Sequence, residues 1–349
     1  MNIIKPGYEI LDIPEPTDRL GVLQYLEKIG RICYKSEDKI SDESCIKFIK
    51  GIRDRKHWAM LEHYIFVFEV PVEIFQDIFS PSRFTADNYN MIDKLAFIRG
   101  SYYYNVNYNE GTADPVAIIS ASATALNYLW ECFSDPSGYP GIIHLCHFMM
   151  ARFPELMKDP FPAENKSYQY DERIRFITRA ELKSMDYEIR MIHDSMSVKF
   201  TVDRGVTHEL VRHRPCSWAQ ESTRYCNYTD GKFGKEITVI EPPFFKSTAD
   251  GYDMSLKQIW RRASKFAETE YMNLIKFGAK PQEARTILPN SLKAEIVMTA
   301  RMIEMRHFFK MRADNAAHPQ MREVAEPLLK TCITNNPEIF EDLGYLLDK

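Results

Sequence analysis

The stretch 196–215 limits the possible folds of this chain most severely. Its first part, Met-Ser-Val-Lys-Phe-Thr-Val over 196–202, partly alternates apolar and polar residues and predicts a strand. Gly205 to His213 follows, with Val206, Leu210 and His213 on one face at helical spacing. Pro215 then disfavours helical geometry at Arg214 and lacks a backbone donor, so the helix is predicted to end within the triplet Arg212-His213-Arg214. Strand, helix and forced stop in such close succession put two guanidinium groups at a helix-to-loop junction.

Around this junction, periodicity predicts a strand over 8–13 and an amphipathic helix over 18–34, with Leu20, Leu23, Leu26 and Ile29 near helical spacing. A helix over 43–55, capped by Ser41 or Asp42, precedes an aromatic, β-branched strand over 63–70. From 71 to 194 the pattern changes: a strand over 96–104, helices over 115–133 and 141–153, and a polar stretch over 159–172. We read 71–194 as an elaboration within one domain spanning 1–349. A strand over 236–240, helices over 256–277 and 291–312, and a last helix from Pro319 with Leu328 and Leu329 buried complete the expectation.

Composition narrows the class. A net charge of -4 gives no global reason to expect nucleic acid, so any anion site must be local. The N-terminal residues lack a signal-like apolar stretch and no run reaches membrane-spanning length, which predicts no membrane association and a cytoplasmic location. The seven cysteines are scattered without a Cys-x-x-Cys pair. His144, Cys146 and His147 form the nearest approach to a metal cluster, but no second ligand pair stands at a familiar spacing, and no metal is expected.

The chemistry concentrates after the junction. Arg212, Arg214 and Arg224 are interleaved with Ser217, Gln220, Ser222 and Tyr225. Guanidinium groups suit a phosphate, and hydroxyls and amides can orient a base or sugar; a solvated basic loop would look the same by composition. The string RHRPCSWAQESTRY resembles the signature of the flavin-dependent thymidylate synthase (ThyX) family in Arg212-His213-Arg214, then Ser222, Arg224 and Tyr225 at fixed spacing. HWAMLEHYIFVFEV, FTVDRGVTHELVRHR, EARTILP, MTARMIEMRHFFKMR and AAHPQMRE resemble further family segments in the same order.

The resemblance implies an α/β (α+β) fold, a mixed sheet flanked by helices, carrying a long insertion. It implies a homotetramer in which FAD, dUMP and a folate meet at subunit interfaces, with NADPH reducing the flavin and methylenetetrahydrofolate giving the carbon. Carried over residue by residue, Glu209, Leu210, Val211, Arg212, Gln220, Glu221, Ser222, Thr223, Arg224, Arg285 and Arg312 match dUMP contacts. Arg312 matches the catalytic residue that activates the uracil. His57, Glu62, Arg212, His213, Arg214, Gln220, Arg301 and His307 match the flavin side. Arg301 and Ile303 depart from the family's common Asn and Arg, Ala59 stands where a hydroxyl is frequent, and Gln220 replaces a common Glu. If 291–312 is one helix, Arg301 and Arg312 face one side, roughly 16 Å apart. Cys216, although preceded by proline, sits in the wrong surroundings for a nucleophile, and Ser222 has no adjacent base and is expected to orient dUMP. The alternative is a nucleotide-binding or flavin-binding relative without catalysis. A second rival is a flavoprotein that uses the arginines on RNA, against which the net charge argues.

Overall fold

The computed structural model describes residues 1–79, 99–107, 112–133, 140–158, 169–245 and 256–348. Its strands, in chain order, are β1 (Asn2–Ile4), β2 (Gly7–Leu11), β3 (Ile65–Pro71), β4 (Arg99–Asn107), β5 (Thr112–Ser122), β6 (Arg175–Phe176), β7 (Ser195–Asp203), β8 (Ser217–Gln220), β9 (Thr238–Ile240) and β10 (Lys293–Arg301). They form two four-stranded antiparallel sheets, ordered β2-β7-β10-β8 and β4-β5-β3-β6, and a parallel pair β1-β9. With helices packed against both larger sheets, the fold is of the mixed α/β kind.

The strand β7 has its expected character. Val198, Phe200 and Val202 point into one core, where Phe200 meets Phe308 of the helix Met302–Arg312 with ring centroids 6.1 Å apart. Ser197 points the other way and starts a buried polar relay. Tyr25 of the helix Arg19–Tyr34 donates to Ser197 Oγ (2.5 Å), Ser197 meets Thr299 of β10 (2.6 Å), and Thr299 meets His63 Nδ1 (2.8 Å). Burial pushes the Tyr25 hydroxyl up to about 12 and the His63 imidazole down to about 3, so every member of the relay is neutral near pH 7. The relay fixes the end of the short segment Trp58–His63, which leads into β3.

Several expectations need correction. The stretch 291–312 is not one helix: β10 runs to Arg301, and the helix begins at Met302. A strand buried on both faces reads as an unbroken apolar run, which periodicity cannot separate from a helix. Arg301 and Arg312 therefore share no helix face. For the same reason 115–133 divides into β5 and the helix Ala123–Phe133. The helix Arg204–Leu210 starts where the Asp203 carboxylate accepts from Val206 N (2.9 Å), but stops before the triplet. Arg212 N and His213 N already bond three residues back, to Glu209 O and Leu210 O, ahead of the break that Pro215 imposes. Neither Ser41 nor Asp42 caps the second helix, Ser44–Asp54; Glu43 stands at the cap without a side-chain bond.

The expected elements over 8–13, 18–34, 63–70, 141–153, 196–202, 236–240 and 256–277 appear with shifted ends, as does the helix Pro319–Asn335, in which Leu328 and Leu329 are buried. Positions 96–98 of the expected strand 96–104, and 159–168 of the polar stretch, lie outside the described residues.

Candidate functional site

Two groups of expected site residues form beside β8. The first is centred on Arg312, in the last turn of Met302–Arg312. Its Nε donates to His213 Nε2 (2.9 Å), Nη1 to Glu209 Oε2 (2.9 Å) and Nη2 to Glu209 O (3.0 Å). Because arginine stays charged and only donates, His213 Nε2 must accept, and the imidazole carries its proton on Nδ1. Burial, followed by the charges of Arg312 and His307, pushes His213 down to about 4 and keeps it neutral. The rings of His307 and Phe308 meet His213 edge to face, at 5.8 and 5.4 Å. Arg212 and Arg214 flank this cluster, exposed, and form no ion pair among the described residues. Leu210 is buried and Val211 is exposed.

The second group follows β8. Ser222 N bonds to Cys33 O (3.1 Å), which brings the turn 222–225 to the end of the first helix. There a groove of about 530 Å³ is lined by Tyr34, His57, Trp58, Glu62, Tyr128, Ser222 and Tyr225 among others. His57 Nδ1 lies 3.0 Å from Tyr34 OH, and the Tyr34 and Tyr225 rings are 5.6 Å apart. Tyr225 and Arg224 are exposed, with the Arg224 guanidinium 5.8 Å from the Tyr225 ring. Arg285 reaches the same turn through Thr223 Oγ1 at 3.4 Å.

Glu62 is the unusual group in this groove. Its carboxyl is half-buried with no cation paired to it among the described residues, and burial raises it to about 7, against a small opposing effect of the Ser217 hydroxyl. A carboxyl poised near neutrality in a cleft is a marker of functional sites.

The remaining expected residues have structural partners. Glu221 is buried: Lys293 Nζ (3.0 Å) and Glu295 N (3.1 Å) donate to its carboxylate, and Lys35 lies 3.7 Å away. Gln220 donates to Thr207 Oγ1 (2.9 Å). Arg301 is 2% exposed and donates to Ser120 O of β5 (3.3 Å), away from both groups. Cys216 is buried and its thiol is pushed up by burial, which suits packing and not nucleophilic chemistry. Among the described residues, no three of His, Cys, Asp and Glu are placed to hold a metal, and no helix is long and apolar enough to cross a membrane.

Sequence reasoning overlooked Tyr34, Trp58 and Tyr128 as groove walls. Tyr34 ends a helix beside Cys33, a position without a local functional signal, and Tyr128 reaches the groove only through tertiary packing. The two groups adjoin along β8: Ser217, at its start, donates from Oγ to Glu62 O of the groove (3.5 Å), and Ser222 follows its end. Arg212 and Arg214 before β8 and Arg224 after it are exposed beside buried, hydrogen-bonded partners, an arrangement able to hold anionic ligands.

The sequence model of the Thy1 family, described as thymidylate synthase complementing protein, matches residues 162–338. The chain is 32% identical over 166 residues to the flavin-dependent thymidylate synthase of Mycobacterium tuberculosis strain H37Rv, covering 43% of this chain and 62% of that protein. To the enzyme of the same name from Pyrococcus abyssi it is 34% identical over 127 residues, covering 36% and 49%. The chain therefore spans less than two thirds of the length of these relatives. A crystal structure of the UMP/dUMP methylase PolB from Streptomyces cacaoi, bound with 5-Br dUMP, is 23% identical over 42% of this chain and 69% of that one, with a TM-score of 0.35. The matched span contains Arg212-His213-Arg214, Ser222, Arg224, Arg285 and Arg312 but neither His57 nor Tyr128. Because that span is just over half of its length, the chain belongs to the Thy1 family of thymidylate synthase complementing proteins, the family of the flavin-dependent thymidylate synthases.

Proposed function

We propose that this protein makes dTMP by reductive methylation of dUMP, with methylenetetrahydrofolate as carbon donor, NADPH as reductant and FAD as bound cofactor, in the cytoplasm. The carrying observation is the combination of guanidinium groups at Arg212, Arg214 and Arg224, in no ion pair among the described residues, with an aromatic groove that holds a carboxyl also without a paired cation among them. By contrast, Arg19, Arg31, Arg175, Arg190 and Arg306 are in ion pairs. Unpaired cations suit phosphates, and the groove suits a planar ring.

The donor set fits FAD. Arg212, Arg214 and His307 would hold its phosphates, with His213 as a neutral polar neighbour, and His57 and Glu62 would face its ring system. When bound, the flavin supplies the hydride that completes the methyl group. Arg301 is committed to Ser120 in the single chain and stays outside this proposed pocket. Ser222, Arg224 and Arg285 would grip the dUMP phosphate.

Arg312 would act on the uracil. It carries five N–H donors, and three are engaged by His213 and Glu209, so two remain for a ligand oxygen. Its charge favours the N3-deprotonated ring, which makes C5 nucleophilic. We propose a homotetramer in which FAD, dUMP and folate meet at subunit interfaces, a reading that the sequence resemblance supports. The stretch 71–194 is proposed as an elaboration that walls the groove and leaves the reaction to the rest of the chain.

The test is incubation of the purified chain with FAD, NADPH, methylenetetrahydrofolate and dUMP, scored for dTMP. Product formation by a yellow protein is expected. A colourless protein that takes up no FAD and yields no dTMP would overturn the reading.

A further inference from the structure

The helix Ala123–Phe133 lies outside the residues that the family model matches, yet it is built onto the groove. Three residues at i, i+4 and i+7 form one face of it and meet the loop 56–58. Thr124 Oγ1 donates to Trp58 O at 2.7 Å and is buried; the Tyr128 ring lies 6.2 Å from the Trp58 ring, tilted by 56°; Glu131 lies 3.7 Å from Lys56 Nζ. The helix is pinned from behind by Asn127, whose amide donates to Ala123 O (2.7 Å) and Leu156 O (2.9 Å) and accepts from Lys158 N (2.7 Å).

Of these side chains, Tyr128 lines the groove itself, together with Tyr34, Tyr225 and Glu62. A tyrosine can pack on one side of its ring and leave the rest to a cleft. This one keeps part of its surface in the cleft, and burial together with the nearby Glu62 and Glu131 charges raises its hydroxyl. Ala59, on the same wall, offers no hydrogen-bonding side chain.

We propose that Tyr128 is a ligand-contacting residue that sets which planar, fused-ring nitrogen heterocycle the groove accepts, packing its ring against the ligand's face and offering its hydroxyl to the ligand's polar edge. The inference rests on the proposed function for the identity of that heterocycle, either the isoalloxazine of FAD or the pterin of the folate. It makes the helix Ala123–Phe133 part of the binding site and not a remote addition.

The experiment titrates the full chain with FAD, followed by quenching of flavin fluorescence, and separately with tetrahydrofolate, followed by calorimetry. Wild type, Tyr128→Leu and Tyr128→Trp are compared, with thermal melting as the check on folding. The leucine should weaken one of the two ligands by roughly three- to tenfold, the loss expected of one aromatic contact. Loss confined to FAD identifies the isoalloxazine, and loss confined to tetrahydrofolate identifies the pterin. Tyr128→Trp keeps an aromatic against Trp58 but fills the groove, and should weaken the same ligand even if the leucine variant fails to fold. Affinities unchanged for both ligands in a folded variant would overturn the inference. Failure of the wild type to bind either ligand would instead strike the proposed function.

Discussion

Replacing Glu62 by Gln should make the protein more stable, and by an amount that depends on pH. Burial lifts the Glu62 carboxyl from the ordinary 4.5 to about 7. At about 1.4 kcal/mol per pH unit, its ionised form costs about 3 kcal/mol more in the folded chain than in the unfolded one. Solvent still reaches part of the group, which reduces the figure to about 2 kcal/mol. The sign follows from proton counting. Below pH 4.5 the carboxyl is protonated in both states and contributes no pH dependence. Between 4.5 and 7 the unfolded chain releases the proton and the folded chain keeps it, so native stability falls as pH rises. Above 7 both states are ionised and the penalty is complete. Urea unfolding of wild type and Glu62→Gln at half-unit steps from pH 5 to 8 isolates this group, because other titrations cancel in the difference. The variant's advantage should grow by about 2 kcal/mol across the range, whatever constant offset the amide introduces. Parallel stability curves would refute the claim that Glu62 is an uncompensated carboxyl.

Other perturbations separate structure from chemistry. Arg312→Ala should lower dTMP formation by roughly 100-fold or more while leaving the fold intact, and Arg312→Lys should not restore it, because an ammonium cannot reproduce the three-way fork to His213 and Glu209; near-normal turnover by either variant would remove its assigned role. Glu221→Ala should cost about 1–3 kcal/mol in urea unfolding, since Lys293 and Lys35 keep Glu295 but each lose one carboxylate and Glu295 N loses its acceptor, and a loss below about 0.5 kcal/mol would show that the buried carboxylate is not stabilising. Cys216→Ala should retain activity at a small cost in stability, and complete loss of turnover with dUMP still bound would restore the nucleophilic-cysteine reading.

The parts of the fold legible in the sequence are those with one wet face. The helix Arg19–Tyr34 and the strand β7 show clean periodicity because one side of each faces water or a polar layer. β10 and residues 116–122 of β5 are largely enclosed on both sides, so their sequences carry no period that separates strand from helix. The site divides similarly. Arg212, Arg214 and Arg224 are close in sequence, and their density in a chain of net charge -4 singles them out. The bond from Arg312 to His213 spans 99 positions and is made by tertiary packing alone, so only the family resemblance pointed to it. Tyr128 had no such pointer, because its helix lies outside the matched span.

The relay Tyr25–Ser197–Thr299–His63 has a mechanical consequence. Sliding β10 by one residue would offer Met298 or Ala300 in place of Thr299, and no hydroxyl would face Ser197 or His63. The position of β10 is thereby tied to the loop carrying His57 and Glu62. The same strand runs directly into the helix that ends at Arg312. The carboxyl in the groove, through His63, and the guanidinium of Arg312, through the chain itself, are thus both tied to β10, so a shift of that strand would move both together.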